Sequence, residues 1–102
     1  MDEKVIVVSK MGYGYEVDNP VQVCGVMDSH RYIELLKHKE GIVVSHNRDG
    51  SVYRDDNKII DVYKVYVKKQ GIKDVLEYTI YVDMYNLPQP FKAVDDFEIR
   101  DR

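Results

Sequence analysis

Residues 45–56, Ser-His-Asn-Arg-Asp-Gly-Ser-Val-Tyr-Arg-Asp-Asp, hold the densest set of side chains in the chain that could do chemistry. His46 with Asp49, Asp55 and Asp56 has the residue types of a divalent-metal site, or of an imidazole base oriented by a carboxylate. Either role would make the chain a small metal-dependent enzyme. Residue types alone are not enough, because a base also needs a nucleophile, an oxyanion site and a pocket, and no short segment supplies them.

Aligned on Gly50 as the sixth position, the stretch resembles an EF-hand calcium loop over its twelve residues. Ser45, Asn47 and Asp49 then fall at one, three and five, Val52 at eight and Asp56 at twelve. A calcium loop begins on aspartate and ends on a bidentate glutamate, and Ser45 and Asp56 are neither. The flanks, Ile-Val-Val before and Lys-Ile-Ile-Asp-Val-Tyr after, have strand composition rather than helix caps. Asn47-Arg48-Asp49-Gly50 therefore predicts a hairpin turn, with Asp49 bonding locally and Gly50 at positive φ in a bulge. No metal, cofactor or catalytic residue is expected.

The other reactive side chains are scattered. His30, His38 and His46 recur every eight residues, which on a helix sets His30 and His38 about 80° apart and more than about 10 Å along the axis. They cannot share a zinc ion. Cys24, in an alternating strand pattern with no cationic neighbours, reads as a small buried hydrophobe rather than a nucleophile. Gly12-Tyr13-Gly14 follows an apolar strand as a nucleotide-binding turn would. The third glycine, the lysine and the helix of such a turn are absent, so it reads as a flexible loop open to a partner.

The whole chain bounds these options. Its 102 residues fit one domain, residues 1–102, and 44% apolar with 32% charged residues is the balance of a soluble globular fold. A net charge of −3, spread along the chain, gives no global attraction to nucleic acid or to an anionic membrane. One cysteine forms no internal disulfide, and no asparagine begins a glycosylation signal. The start Met1-Asp2-Glu3-Lys4 is acidic where a signal peptide is basic, and Val5 to Val8 is too short to span a bilayer. A cytoplasmic location is expected.

The elements that position these residues follow from periodicity. Residues 4–10 read as a strand buried on both faces at the centre of a sheet, and residues 21–27 as a second strand. A helix is predicted over about 29–40, capped by Asp28 or Ser29, striped by Tyr32, Ile33 and Leu36, and closed by Lys37, His38, Lys39 and Gly41. Strands at 42–46 and 51–54 flank the predicted turn. Residues 58–86 form a long hairpin, and residues 87–102 a proline-bearing tail that packs on the core or stays partly loose. The fold class is α+β, a mostly antiparallel or mixed sheet with one helix on a face, in the order β-β-α-β-β-β-β.

The register of the long hairpin can be argued. Leu76, Tyr78, Ile80, Val82 and Met84 share one face, as do Ile59, Tyr63, Val65 and Val67. Matching them pairs Val67 with Leu76, Val65 with Tyr78, Tyr63 with Ile80 and Ile59 with Met84, around a loop at residues 70–73. A slip of one would bury Lys64 and Lys68 unpaired. The opposite face then carries Lys64, Tyr66, Lys68, Tyr81 and Tyr85 beside Val62, Val75, Glu77 and Asp83. Tyrosine with mixed charge is the composition of an interface.

The function expected is a small intracellular protein-binding module, such as an inhibitory or accessory protein or a homo-oligomer. Its partner is another protein or a second copy, held by Lys64, Tyr66, Lys68, Tyr81 and Tyr85. The alternative on the same face is single-stranded nucleic-acid binding, with tyrosines stacking on bases and lysines on phosphates. The metal-dependent enzyme at His46, Asp49, Asp55 and Asp56 is a second alternative.

Overall fold

The computed structural model describes residues 3–100; Met1, Asp2 and the last two residues of the tail lie outside it. Seven strands and one helix follow in the order β1 (Val5–Val7), β2 (Val21–Gln22), α1 (Gly25–Leu35), β3 (Leu36–His38), β4 (Gly41–Tyr53), β5 (Ile59–Lys69), β6 (Val75–Asp83) and β7 (Phe97–Ile99). The fold is α+β. Its main sheet is mixed: β4, β5 and β6 form an antiparallel meander, while β1 and β2 both run parallel to β6 along its other edge. A second, two-stranded sheet pairs β3 with β7.

The long hairpin has the predicted register, with Tyr63 opposite Ile80, Val65 opposite Tyr78 and Val67 opposite Leu76. Ile59 and Met84 lie beyond its ladder, which ends at Asp61 and Val82. Alternation decides this register because the set on one side, Val65, Val67, Ile80 and Val82, is fully buried. Over that set lie Ser29, Tyr32 and Ile33 of α1, followed by Leu36, at the three- and four-residue spacing of one helix face. Val94 and Phe97 of the tail complete the same core. Tyr32 donates its hydroxyl to the Lys92 carbonyl at 2.7 Å, and Tyr15 donates to that of Asp95.

Four local expectations are corrected. The helix spans Gly25–Leu35 rather than 29–40. Asp28 and Ser29 lie inside it, and Ser29 Oγ bonds the Gly25 carbonyl 3.1 Å away instead of capping. Residues 36–38, read as part of the helix with Lys37 and His38 in its last turn, are drawn into β3 by the edge that the tail presents at residues 97–99. The second strand accordingly stops at Gln22.

The predicted turn at Asn47-Arg48-Asp49-Gly50 is no turn. β4 is one strand of 13 residues with register shifts between Val43 and Ser45 and between Arg48 and Ser51. Gly50 takes φ +83° in the second of these, as a bulge requires. The reversal comes later, at residues 54–58, where the Arg54 amide donates to the Lys58 carbonyl at 2.9 Å and Asn57 takes φ +66°. At roughly 3.4 Å per residue, β4 runs nearly the full 44 Å of the molecule's long axis.

The first strand is neither central nor buried. β1 pairs only with β6, and Val5, Ile6 and Val7 are all exposed. A run of β-branched residues encodes extended backbone but not the number of neighbours it acquires.

Candidate protein-binding face

Helix, tail and small sheet pack on one side of the main sheet, so the other side carries no helix. Strand pairing orders its side chains in rows. Val7, Glu77, Tyr66 and Ser45 lie abreast across four strands, and the next rows hold Val5 with Val75 and Lys68 with Ile42. Lys64 and Thr79 form a further row with Asn47, and Val62 pairs with Tyr81 beyond it.

Lys64, Tyr66, Lys68 and Tyr81 thus share one surface. Tyr85 lies past the end of β6, which stops at Asp83, and bridges to Cys24. Sequence reasoning missed the aliphatic wings of this face, Val5, Val7 and Ile42, at 57%, 64% and 71% exposure.

The polar middle is internally paired. Lys64 Nζ donates to Thr79 Oγ1 at 2.7 Å and lies 3.6 Å from the Glu77 carboxylate, and Lys68 pairs with Glu3. Desolvation, with the nearby Glu77 carboxylate next, raises the Tyr66 phenol above its ordinary pKa and keeps its hydroxyl protonated. The surface offers aliphatic area, neutral hydroxyls and fixed, balanced charge.

The acidic stretch comes apart along β4. His46 sits opposite Val65 and Asp49 lies in the second bulge, while Asp55 and Asp56 belong to the reversal beyond Tyr53, roughly 14 Å or more past Asp49 and farther still from His46. Those four residues therefore cannot close on one ion. Asp56 instead takes a fork from Arg54, at 3.1 and 2.7 Å, and the Lys58 amide at 3.2 Å. The Arg54 hydrogen bonds hold its carboxyl down at about 2. The aspartate folds the turn.

A chain of titratable groups that no motif announced lies elsewhere. The Glu40 amide donates to His38 Nδ1 at 3.0 Å, so the neutral ring carries its proton on Nε2, which meets the Tyr78 hydroxyl at 2.8 Å. Tyr78 donates to Asp96 Oδ2 at 3.0 Å, and Lys10 Nζ reaches Asp96 Oδ1 at 3.2 Å. Burial pushes the Tyr78 phenol up, keeping it a donor. Burial also pushes the Asp96 carboxyl up, but hydrogen bonds from Tyr78 and Lys10 outweigh it and hold the group below its usual range. Four separate parts of the sequence meet in this one line.

His38 makes that line sensitive to acid. Burial lowers its pKa from the ordinary 6.5, ahead of the opposing pull of Asp96 and the like charge of Lys69. A second proton would land on Nδ1 and break the Glu40 bond. The unfolded chain takes up the proton first, so stability is full above pH 6.5 and falls as pH drops from there towards the lower folded value. Thermal melts at neutral pH and near pH 5 should show a loss on acidification that shrinks in His38→Gln. An unchanged slope in that variant would assign the effect elsewhere.

The chain matches no protein-family model, no curated protein and no solved structure. No helix among the described residues is long and apolar enough to cross a membrane.

Proposed function

We propose that the protein is a small protein-binding module whose recognition surface is the helix-free face of its sheet, centred on Tyr66, Lys68 and Tyr81 and flanked by Val5, Val7 and Ile42. One observation carries this reading: aliphatic side chains stand more than half exposed at both margins of a face that no helix covers among the described residues, its far end alone being buried, at Ile60 and Val62. Exposed apolar area on both flanks favours an interaction surface, and tyrosine between the flanks adds large contact area at low entropic cost. The partner is another protein or a second copy. A chain of this size that acts by occupying a surface suits an accessory or inhibitory role. The free Cys24 suits an intracellular, reducing setting.

Nucleic acid is a poorer fit. Lys64 and Lys68 are engaged by Glu77 and Glu3, so a phosphate would have to displace a carboxylate at each position.

Val7→Asp combined with Tyr66→Ser should leave the circular dichroism spectrum and melting temperature nearly unchanged, because neither side chain is in the core. The double variant should lose self-association in analytical ultracentrifugation, or lose the crosslinked partners that the native chain recovers from cells. Identical sedimentation and identical crosslinks for both proteins would refute the assignment.

A further inference from the structure

The side of β4 away from that face offers a second site. A groove of about 770 Å³ opens between β4 and the end of α1 with β3, and residues 41–46 line it without a gap. Side chains on a strand alternate between faces, so consecutive lining residues mean that the strand's own edge borders the groove. Among the described residues that edge is unpaired: β4 is bonded to β5 alone, and β3 to β7 alone. Free strand edges accept an added strand unless charge, proline or a bulge prevents it. Residues 41–45 carry no charge and no proline, and the one bulge, between Val43 and Ser45, leaves residues 41–43 as regular edge.

The walls define what would fit. Ile33, Leu36 and Val43 make an apolar floor, and Val44 at the lip is 50% exposed. The rim is mainly cationic, with Lys37 and Arg100 facing the single acid Glu34. Around the link between β3 and β4 a neighbouring hollow of about 510 Å³ adds Lys39. Among the described residues neither Lys37 nor Lys39 has a carboxylate within ion-pair distance, whereas Lys69, in the same hollow, is paired with Glu40 at 3.6 Å.

We propose that this groove receives an extended, acidic segment of another protein. The segment adds as a strand to the free edge of β4, turns aliphatic side chains onto Ile33, Leu36 and Val43, and presents carboxylates to Lys37, Lys39 and Arg100. Main-chain pairing supplies affinity and alternate side chains supply selection. The site goes beyond the sheet-face reading and does not depend on it.

The test uses the full chain and a short fluorescent peptide alternating valine and glutamate, with its valine–lysine counterpart as comparison, followed by anisotropy at low salt. The glutamate peptide should bind, and the lysine peptide should bind more weakly by about tenfold or more. Lys37→Glu with Lys39→Glu should cost the glutamate peptide about tenfold, and Lys39→Glu alone a smaller part. Amide signals of residues 41–46 should shift on binding. Val7→Asp should leave this binding unchanged, so failure here and failure of the sheet-face reading are told apart. Equal binding of the two peptides, no binding of the glutamate peptide, or binding that leaves residues 41–46 unmoved overturns the proposal.

Discussion

Replacing Phe97 with alanine should destabilise the fold by about 3–5 kcal/mol, a large share of the roughly 5–15 kcal/mol that holds a domain together. Phe97 comes from the tail, yet it is 2% exposed and stands edge-on to His38 and Tyr78, with ring centroids 5.1 and 4.9 Å away. Truncation opens a cavity beneath the His38–Tyr78–Asp96 line and removes two aromatic contacts together. Urea denaturation measures the change. A loss below about 1 kcal/mol, the range of an ordinary surface substitution, would show that the tail adds little to the core.

Gly14→Ala should cost about 2–5 kcal/mol, from a left-handed backbone penalty of about 1–2 and overpacking of about 1–3. Gly14 has φ +83°, and an added Cβ would overlap Val94 Cγ1 and lie 2.9 Å from Val21 Cγ2. Its backbone cannot retreat, since its carbonyl accepts the Tyr81 amide at 2.8 Å and its amide donates to Asn19 at 2.7 Å. Gly12→Ala is the matched comparison. Gly12 also has positive φ, at +102°, but nothing lies within 4 Å of its added Cβ, so it should pay the backbone penalty alone. Equal melting temperatures for the two variants would remove the packing argument.

Legibility in the sequence tracked the range of the interaction. The register of β5 and β6 could be read because two neighbouring segments alternate with period two and any slip buries lysine. The face carrying Lys64, Tyr66, Lys68 and Tyr81 followed from it. The existence of α1 was readable from Tyr32, Ile33 and Leu36. Its end was not, because Leu36 pairs with Ile99, far along the chain. Gly50 was read correctly as a positive-φ residue in a bulge and wrongly as part of a turn. A left-handed glycine serves both, and the partner strand β5 decides between them. The exposure of Val5, Val7 and Ile42, and with it half of the candidate surface, depended on which strands end at the edges. The groove beside β4 is assembled from α1, β3, β4 and Arg100, and no local pattern foretells it.

The edge of β6 is built from separate pieces. Val5–Val7 pairs with residues 75–77, the Gly14 carbonyl takes the Tyr81 amide, and Val21–Gln22 pairs with Val82 and Asp83. Each of these contacts closes a loop of some sixty to seventy residues, whereas β5 and β6 are joined across residues 70–74. By the logarithmic cost of loop closure, the long loops are dearer by about 2 kcal/mol. Chain entropy therefore favours the meander of β4, β5 and β6 first, with the opening residues of the chain laid down afterwards against a finished template. The start of the sequence is, in order of assembly, close to the end.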